Sequence, residues 1–478
     1  MINIIKKSLT FDDVLILPEY SKILHNQIKL NTKLTKKIKL NIPISSAAMD
    51  TVTESKLAIA LAKEGGIGFI HKNMSIKKQI QEIKIVKNYK NKKITINPKC
   101  VFPETKIKEI KKLILKNKFS SYPVIDKNNK LIGVITKRDI RFSNNSNQTV
   151  SSLMTQKNKL ITTTKNESLK TIYQKMKKKR IKNILVVDKK YQLLGMININ
   201  NINTIQYPNA CKDKYNRLLV GAAINTQNTN NDVKKLIKSG VDVLLVDSSH
   251  GHSKDVIKLI YKIKLKYPNI QIIGGNIATK NAALDLKKVG VDAVKVGIGP
   301  GSICTTRIIT GVGVPQITAI SEVAEALQGS NIPIIADGGI RVSGDISKAI
   351  VAGASCVMMG YLLAGSKESP GKIKKIHGSL FKIYRGMGSR NAMIKGSSIR
   401  YSQYKIPYNK LIPEGVEGIV KYQGKLKNII HNQIGGLKSC MRLTGCKTIR
   451  ELQTKAKFII VSKSGIKESN IHSIKKLK

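Results

Sequence analysis

No apolar run in the chain approaches the roughly 18 residues that a membrane-spanning helix needs, so no such span is expected. The opening stretch Met1-Ile2-Asn3-Ile4-Ile5-Lys6-Lys7 lacks a long apolar segment and a small-residue cleavage site, so no signal peptide is expected either. Cysteine is scarce. The 6 cysteines are scattered without metal-ligand or disulfide spacing, Cys440 and Cys446 being the nearest pair, and a reducing cytoplasm fits best. Acidic residues are few, 29 against 85 Lys and Arg, which leaves a net charge of +56. The lysines are spread over the whole length in company with Ile and Asn, a compositional bias and not a basic stripe. Specific nucleic-acid recognition is therefore not expected, although polyanions should bind loosely at low salt. No Gly-x-Gly-x-x-Gly opens the first helical pattern, which weighs against an open doubly wound dinucleotide-binding sheet.

What the chain does have is a rhythm. Eight short apolar runs start near Ile42, Gly66, Leu218, Val241, Ile270, Val291, Ile332 and Ala354, each ending in Gly, Asp, Ser, His or Asn. Helical patterns lie between many of them, such as Asn231 to Ser239, Lys254 to Lys266, Asn281 to Val289 and Ser343 to Ala352. Strand alternating with helix at this pitch predicts a parallel sheet. Eight units predict an α/β fold, the (β/α)₈ or TIM barrel, with its chemistry on the loops after the strands. The count holds only if residues 92–212 are set aside. That stretch repeats internally: Pro123-Val124-Ile125-Asp126 answers Leu185-Val186-Val187-Asp188, and Leu131-Ile132-Gly133-Val134-Ile135 answers Leu193-Leu194-Gly195-Met196-Ile197, both at an offset of 62 residues. One offset shared by two blocks marks a duplication. Each copy reads as helix, strand, turn and second strand. The expected organisation is a barrel from residues 1–91 and 213–478, interrupted in a loop by a tandem module at 92–212.

The polar motifs fall just after the expected strands. Gly297-Ile298-Gly299-Pro300-Gly301-Ser302-Ile303-Cys304-Thr305-Thr306 follows Val291 to Val296 and joins an anion-binding type of loop to a single cysteine, a candidate nucleophile. Asp247-Ser248-Ser249-His250-Gly251, Gly274-Gly275-Asn276, Asp337-Gly338-Gly339 and Gly360 end other strands. Their recurrence favours a phosphorylated ligand, with Gly339 and Gly360 offering backbone N–H groups and Asp337 accepting from ribose hydroxyls. Tyr384-Arg385-Gly386-Met387-Gly388-Ser389 reads as a second anion-binding stretch. The segment from about 387 to 419 is rich in Gly, Ser, Lys and Tyr and reads as a lid or flap carrying Arg400-Tyr401 and Glu414-Gly415.

With Leu9-Thr10-Phe11-Asp12-Asp13-Val14-Leu15, Ser46 to Glu54, Gly65 to Met74 and Gly311-Val312-Gly313-Val314-Pro315-Gln316 added, the chain resembles the bacterial inosine-5′-monophosphate dehydrogenases over essentially its whole length. The insert resembles a cystathionine-β-synthase-type (CBS) repeat pair, the family's adenine-nucleotide-sensing module. The resemblance implies a two-step reaction. Cys304 adds as thiolate to C2 of inosine monophosphate (IMP), hydride leaves to NAD, and the thioimidate is then hydrolysed to xanthosine monophosphate with Arg400, Tyr401 and Thr306 taking part. It implies that Ser302, Asp337, Gly338, Gly339, Gly360, Tyr361 and Tyr384, Arg385, Gly386, Met387 and Gly388 hold the phosphate and ribose of IMP, and that Glu414 meets the purine. Asp247, Ser248 and Ser249 meet the nicotinamide ribose, with Gly297, Ile298 and Gly299 lining that pocket. Carbonyls of Gly299, Gly301 and Cys304, completed by Glu468, Ser469 and Asn470 of a neighbouring subunit, would bind a monovalent cation, K⁺, in a homotetramer.

Four positions depart from the family pattern. Tyr361 stands in place of a serine, Ile399 of an acidic residue, Ser402 of an aromatic one and Asn470 of a histidine. In the insert, Thr136-Lys137-Arg138-Asp139 fits a ribose-binding motif, whereas Asn198-Ile199-Asn200-Asn201 of the second copy lacks the aspartate. The nearest rival reading is GMP reductase, which shares barrel and cysteine but normally lacks the insert and the Arg400-Tyr401 flap. A nucleotide-binding or nucleic-acid-binding protein without activity is the rival from another class.

Overall fold

The computed structural model describes residues 6–89, 98–117, 119–141, 145–164, 167–199 and 207–474. Residues 1–5, and positions 200 and 201 of the second repeat's turn, lie outside the described residues. Two compact units form, one of residues 1–89 with 209–478 and one of residues 90–208.

The first unit is a closed barrel of eight parallel strands: β1 (Ile44–Ser46), β2 (Ile67–Ile70), β3 (Val220–Ile224), β4 (Val243–Asp247), β5 (Gln271–Ile277), β6 (Ala293–Val296), β7 (Ile334–Asp337) and β8 (Cys356–Met359). Each starts one or two residues after the start read from the sequence. These strands read as largely apolar runs because both faces are covered, their polar residues gathering towards the C-terminal ends. One face of each meets the helices: α1 (Ser55–Glu64), α2 (Ile76–Lys87), α3 (Asn230–Lys238), α4 (Lys254–Lys266), α5 (Lys280–Lys288), α6 (Gln316–Ala326), α7 (Ser343–Val351) and α8 (Leu426–Leu443). Leu244, Val246, Val294 and Ala336 belong to this outer core. The other face fills the barrel with Phe69, Val243, Leu245, Ile273, Ala293, Ile335 and Met358. Helix starts follow local chemistry: Thr229 and Thr279 accept from the N–H groups of Asp232 and Ala282 and so cap α3 and α5. After β8 the chain adds an antiparallel sheet, Ile373–Ile376, Ser379–Arg385 and Glu417–Lys421, before α8.

The chain rejoins the barrel unit earlier than the expected residue 212. Cys211 already donates its N–H to Ala62 O at 2.8 Å and its thiol to Gly65 O at 2.9 Å. Within the second unit the duplication is geometric. Hairpin strands Ser121–Ile125 and Leu131–Thr136 recur as Asn183–Val187 and Leu193–Asn198, and helix Ile107–Asn117 has its counterpart in Leu169–Lys178. Both hairpins shift register at the equivalent place, between Val124 and Ile125 and between Val186 and Val187. Leu131, Leu185, Val187 and Leu193 form a core shared by the two copies. Among the described residues of the chain, no helix is long and apolar enough to cross a membrane.

Candidate active site

Strand alternation places the charged centre. Leu245, Ala293 and Ile335 point into the barrel core, so Asp247, Lys295 and Asp337, each two residues further on, point inward at the C-terminal rim. Lys295 Nζ lies 2.6 Å from Asp337 Oδ2 and 3.0 Å from Asp247 Oδ1, with its side chain 2% exposed. It also donates to Asn276 Oδ1. Asn276 Nδ2 in turn donates to Asp337 Oδ2 at 2.9 Å and to Gly297 O at 2.7 Å. Burial opposes the charge on Asp247, but Arg400 and Lys295 outweigh it and hold the carboxyl below the usual carboxylate range.

The cysteine loop leaves β6 through Gly297, which has φ +148°. A Cβ there would stand 2.0 Å from Asp337 O, so only glycine fits. Gln316 Nε2 fastens the same corner by donating to Val296 O at 3.0 Å and Asp337 O at 3.2 Å. At the far end Cys304 N–H donates to Gly301 O at 3.1 Å. Its Sγ donates to Thr306 Oγ1 at 3.2 Å, and Thr306 Oγ1 donates to Glu414 Oε2 at 2.8 Å. Thiol, hydroxyl and carboxylate thus form one line. Backbone bonds from Thr305 N to Glu414 O (2.9 Å) and Val416 N to Ile303 O (3.0 Å) keep the two segments together.

Gly338 and Gly339 turn beside Pro300 and Phe11; a Cβ on Gly339 would stand 3.0 Å from Phe11 Cε2. The Tyr384 phenol oxygen would lie 2.7 Å from a Cβ on Gly360. Tyr361 follows Gly360 into the rim, its ring 6.5 Å from that of Tyr384. Burial raises the Tyr384 pKa well above its ordinary value and that of Tyr401 to about 12, so both phenols stay protonated.

The segment read as a structureless flap is locally ordered. It holds a short helix, Arg390–Ile394, and single turns at Ser397–Tyr401 and Tyr408–Lys410. It lies over the loop after β4: Ser249 N–H and Ser249 Oγ both donate to Arg400 O at 3.0 Å, and the Arg400 guanidinium is ion-paired with Asp247 Oδ2. Burial works against the charge on Arg400, but Asp247 overrides it and keeps the guanidinium protonated beyond its ordinary range.

Every residue expected to touch substrate or cofactor lines one cavity at this rim, except Ser248 and Arg385. Ser248 turns its hydroxyl to His250 O at 3.2 Å. Arg385 sends its guanidinium to Asp50, Nη2 to Oδ2 at 2.6 Å, and its backbone N–H donates to Thr51 Oγ1 at 3.0 Å. Gly299, Gly301 and Cys304 line the cavity, whereas Glu468, Ser469 and Asn470 do not. The latter end and follow the short helix Lys463–Glu468. Among the described residues no group of three or more His, Cys, Asp or Glu could hold a metal ion. The 297–304 loop offers backbone carbonyl oxygens at the cavity. Lys295, Asn276, Gln316, Phe11 and Asp50 carry no assigned role in the sequence reading. Lys295 did leave a signal there, a charge inside the otherwise apolar strand Ala293–Val296.

A family profile for the IMP dehydrogenase / GMP reductase domain matches residues 8–472. The inosine-5′-monophosphate dehydrogenase of Yersinia pestis is 55% identical over 476 residues, covering 99% of this chain and 98% of its own. That of Aquifex aeolicus is 50% identical over 475 residues, covering 98% and 96%. Among solved structures, a cysteine-to-alanine variant of GMP reductase from Trypanosoma brucei, in complex with guanosine 5′-monophosphate, superposes with a TM-score of 0.80 at 36% identity, covering 98% of this chain and 99% of its own. That reductase spans the inserted unit as well, so the insert does not separate the two activities as the sequence reading held. Fold, site and similarity agree: the chain belongs to the IMP dehydrogenase / GMP reductase family.

Proposed function

We propose that this chain is an NAD-dependent IMP dehydrogenase that converts IMP to xanthosine monophosphate through a covalent bond to Cys304. The observation that carries the reading is the line Cys304–Thr306–Glu414 facing the Arg400–Asp247 pair across one cavity. Asp337 takes the ribose hydroxyls of IMP. Ser302 and the N–H groups of Gly338, Gly339, Gly360 and Tyr361, with the 384–388 backbone, take its phosphate. Cys304 Sγ, as thiolate, bonds to C2 of the purine. Asp247, Ser249 and the 297–299 loop would hold NAD, which would supply the oxidant for the hydride that must leave C2. Water next displaces sulfur: one of its protons leaves through Thr306 to the Glu414 carboxylate, a base with free lone pairs, and the other ends on the departing Cys304 sulfur. Arg400, held charged, orients that water and faces the developing negative charge, with Tyr401 beside it. Asp247 has two claimants, the nicotinamide ribose in the first half-reaction and Arg400 in the second. Flap closure and NAD binding therefore exclude one another, which gives the two steps their order.

Carbonyls of Gly299, Gly301 and Cys304 suit K⁺, with Glu468, Ser469 and Asn470 supplied by a neighbour in a homotetramer. The second unit is read as a CBS pair. Its inter-copy cleft sets Thr136 and Asp139 beside the basic side chains of Lys137, Arg138, Lys159, Arg180 and Lys182, a lining suited to an adenine nucleotide. A cytoplasmic setting fits such substrates. GMP reductase is the second reading, supported by the solved neighbour, and the Arg400–Tyr401 flap favours the dehydrogenase. The test is NADH formation from IMP, with and without K⁺. NADPH consumption with GMP in its place would select the reductase.

A further inference from the structure

The excursion from Ile298 to Val314, which carries Cys304, is closed by one side chain. Arg307 sits in the short helix Thr306–Thr310, and its guanidinium reaches back to both stems. Nε donates to Ile298 O at 2.9 Å and Nη2 to Val314 O at 2.6 Å. The aliphatic arm runs between two glycines. A Cβ on Gly299 would stand 2.5 Å from Arg307 Cγ, and one on Gly313 2.6 Å from Arg307 Nε. Neither position admits a larger residue while the arginine lies there, so the loop is built around it. Burial holds the Arg307 pKa below its ordinary value.

We propose that Arg307 is a positioning residue of the reaction: by fastening both stems of the loop it sets where Cys304 Sγ meets the purine. This rests on Cys304 as the nucleophile proposed above. A planar fork can donate to two carbonyls on different segments at once, which a lysine ammonium on a flexible stem does poorly. Without it, closure of the excursion falls to its own backbone against loop entropy.

The test uses the full chain with Arg307→Ala and Arg307→Lys, read by hydrogen exchange and steady-state kinetics. Arg307→Ala should speed amide exchange in peptides covering 298–314 by about tenfold or more while the barrel strands exchange as before. Its kcat should fall about tenfold to a hundredfold, the cost of a misplaced reacting group. KM for IMP should move less than about threefold, because the phosphate and ribose contacts lie elsewhere. Arg307→Lys should recover part of kcat, and it carries the same comparison if Arg307→Ala does not fold. Unchanged exchange in the loop, or a loosened loop with undiminished kcat, would overturn the proposal. A wild-type chain inert toward IMP would instead overturn the reading of the reaction, and the exchange comparison would still decide whether Arg307 closes the loop.

Discussion

Lys295 shows how one residue organises the site. It is a buried cation between two carboxylates, one proposed for each ribose. Removing a charge from such a buried cluster leaves its partners uncompensated, at a cost of about 3–5 kcal/mol. Lys295→Met should therefore lower the thermal midpoint clearly, and adding Asp337→Asn should restore part of it; an unshifted melt for the single variant would contradict the cluster's role. Gly297 makes a second residue-scale case. Gly297→Ala must push Asp337 O away, and with it the ribose carboxylate, so IMP oxidation should drop to near background; wild-type kinetics would show that the corner can yield. Asp247 and Asp337 were legible because strand-end carboxylates stand out in the sequence. Lys295 was not, because a four-residue strand reveals its inward face only when the neighbouring strands fix the phase. The contact of Arg385 was hidden for a similar reason: its partner Asp50 lies 335 residues away in the chain.

Among the elements, the flap is the one proposed to move the reaction forward. Its charged contact is pH-indifferent over a wide window. Asp247 is held below its ordinary range, so its contribution is present above the unfolded carboxylate pKa of about 4 and is lost only as pH falls through the lower folded value. Arg400 is held above its ordinary range, so its contribution is present below the unfolded value and is lost only at still higher pH. The chain has no tryptophan, and Tyr404 on the flap is 47% exposed, so Tyr404→Trp supplies a single reporter. Its emission should stay flat between about pH 5 and 9 and change when NAD is added. A titration midpoint inside that window would mean that another group closes the flap. From sequence the flap's existence and its Arg400-Tyr401 pair were readable from composition and motif. Its short helix and turns were not, because elements of three to five residues carry no periodicity.

At the scale of the whole molecule, the eightfold rhythm and the 62-residue offset survive from sequence into geometry, since both are set by local patterning. The compact barrel unit resumes at residue 209 where the repeat pattern suggested 213, and Cys211 is held there by Ala62 and Gly65, partners distant in the chain. Replacing residues 90–208 with a short linker should leave IMP oxidation largely intact, as judged by kcat; an unfolded barrel in that variant would contradict the assignment of the insert as a separate unit. Activity should rise with K⁺ and need no Mg²⁺, since the loop offers carbonyls and not carboxylates; equal rates in K⁺-free buffer would count against the cation site. The central claim is that Cys304 carries the purine and Arg400 acts only in releasing it. The most direct measurement is a rapid-mixing assay of NADH with Arg400→Ala, followed by mass spectrometry of the peptide containing Cys304. The account predicts a burst of about one NADH per active site, very slow turnover afterwards and a purine adduct on Cys304, while Cys304→Ala gives no NADH at all. An Arg400→Ala enzyme with no burst, or with an undiminished steady rate, would contradict it.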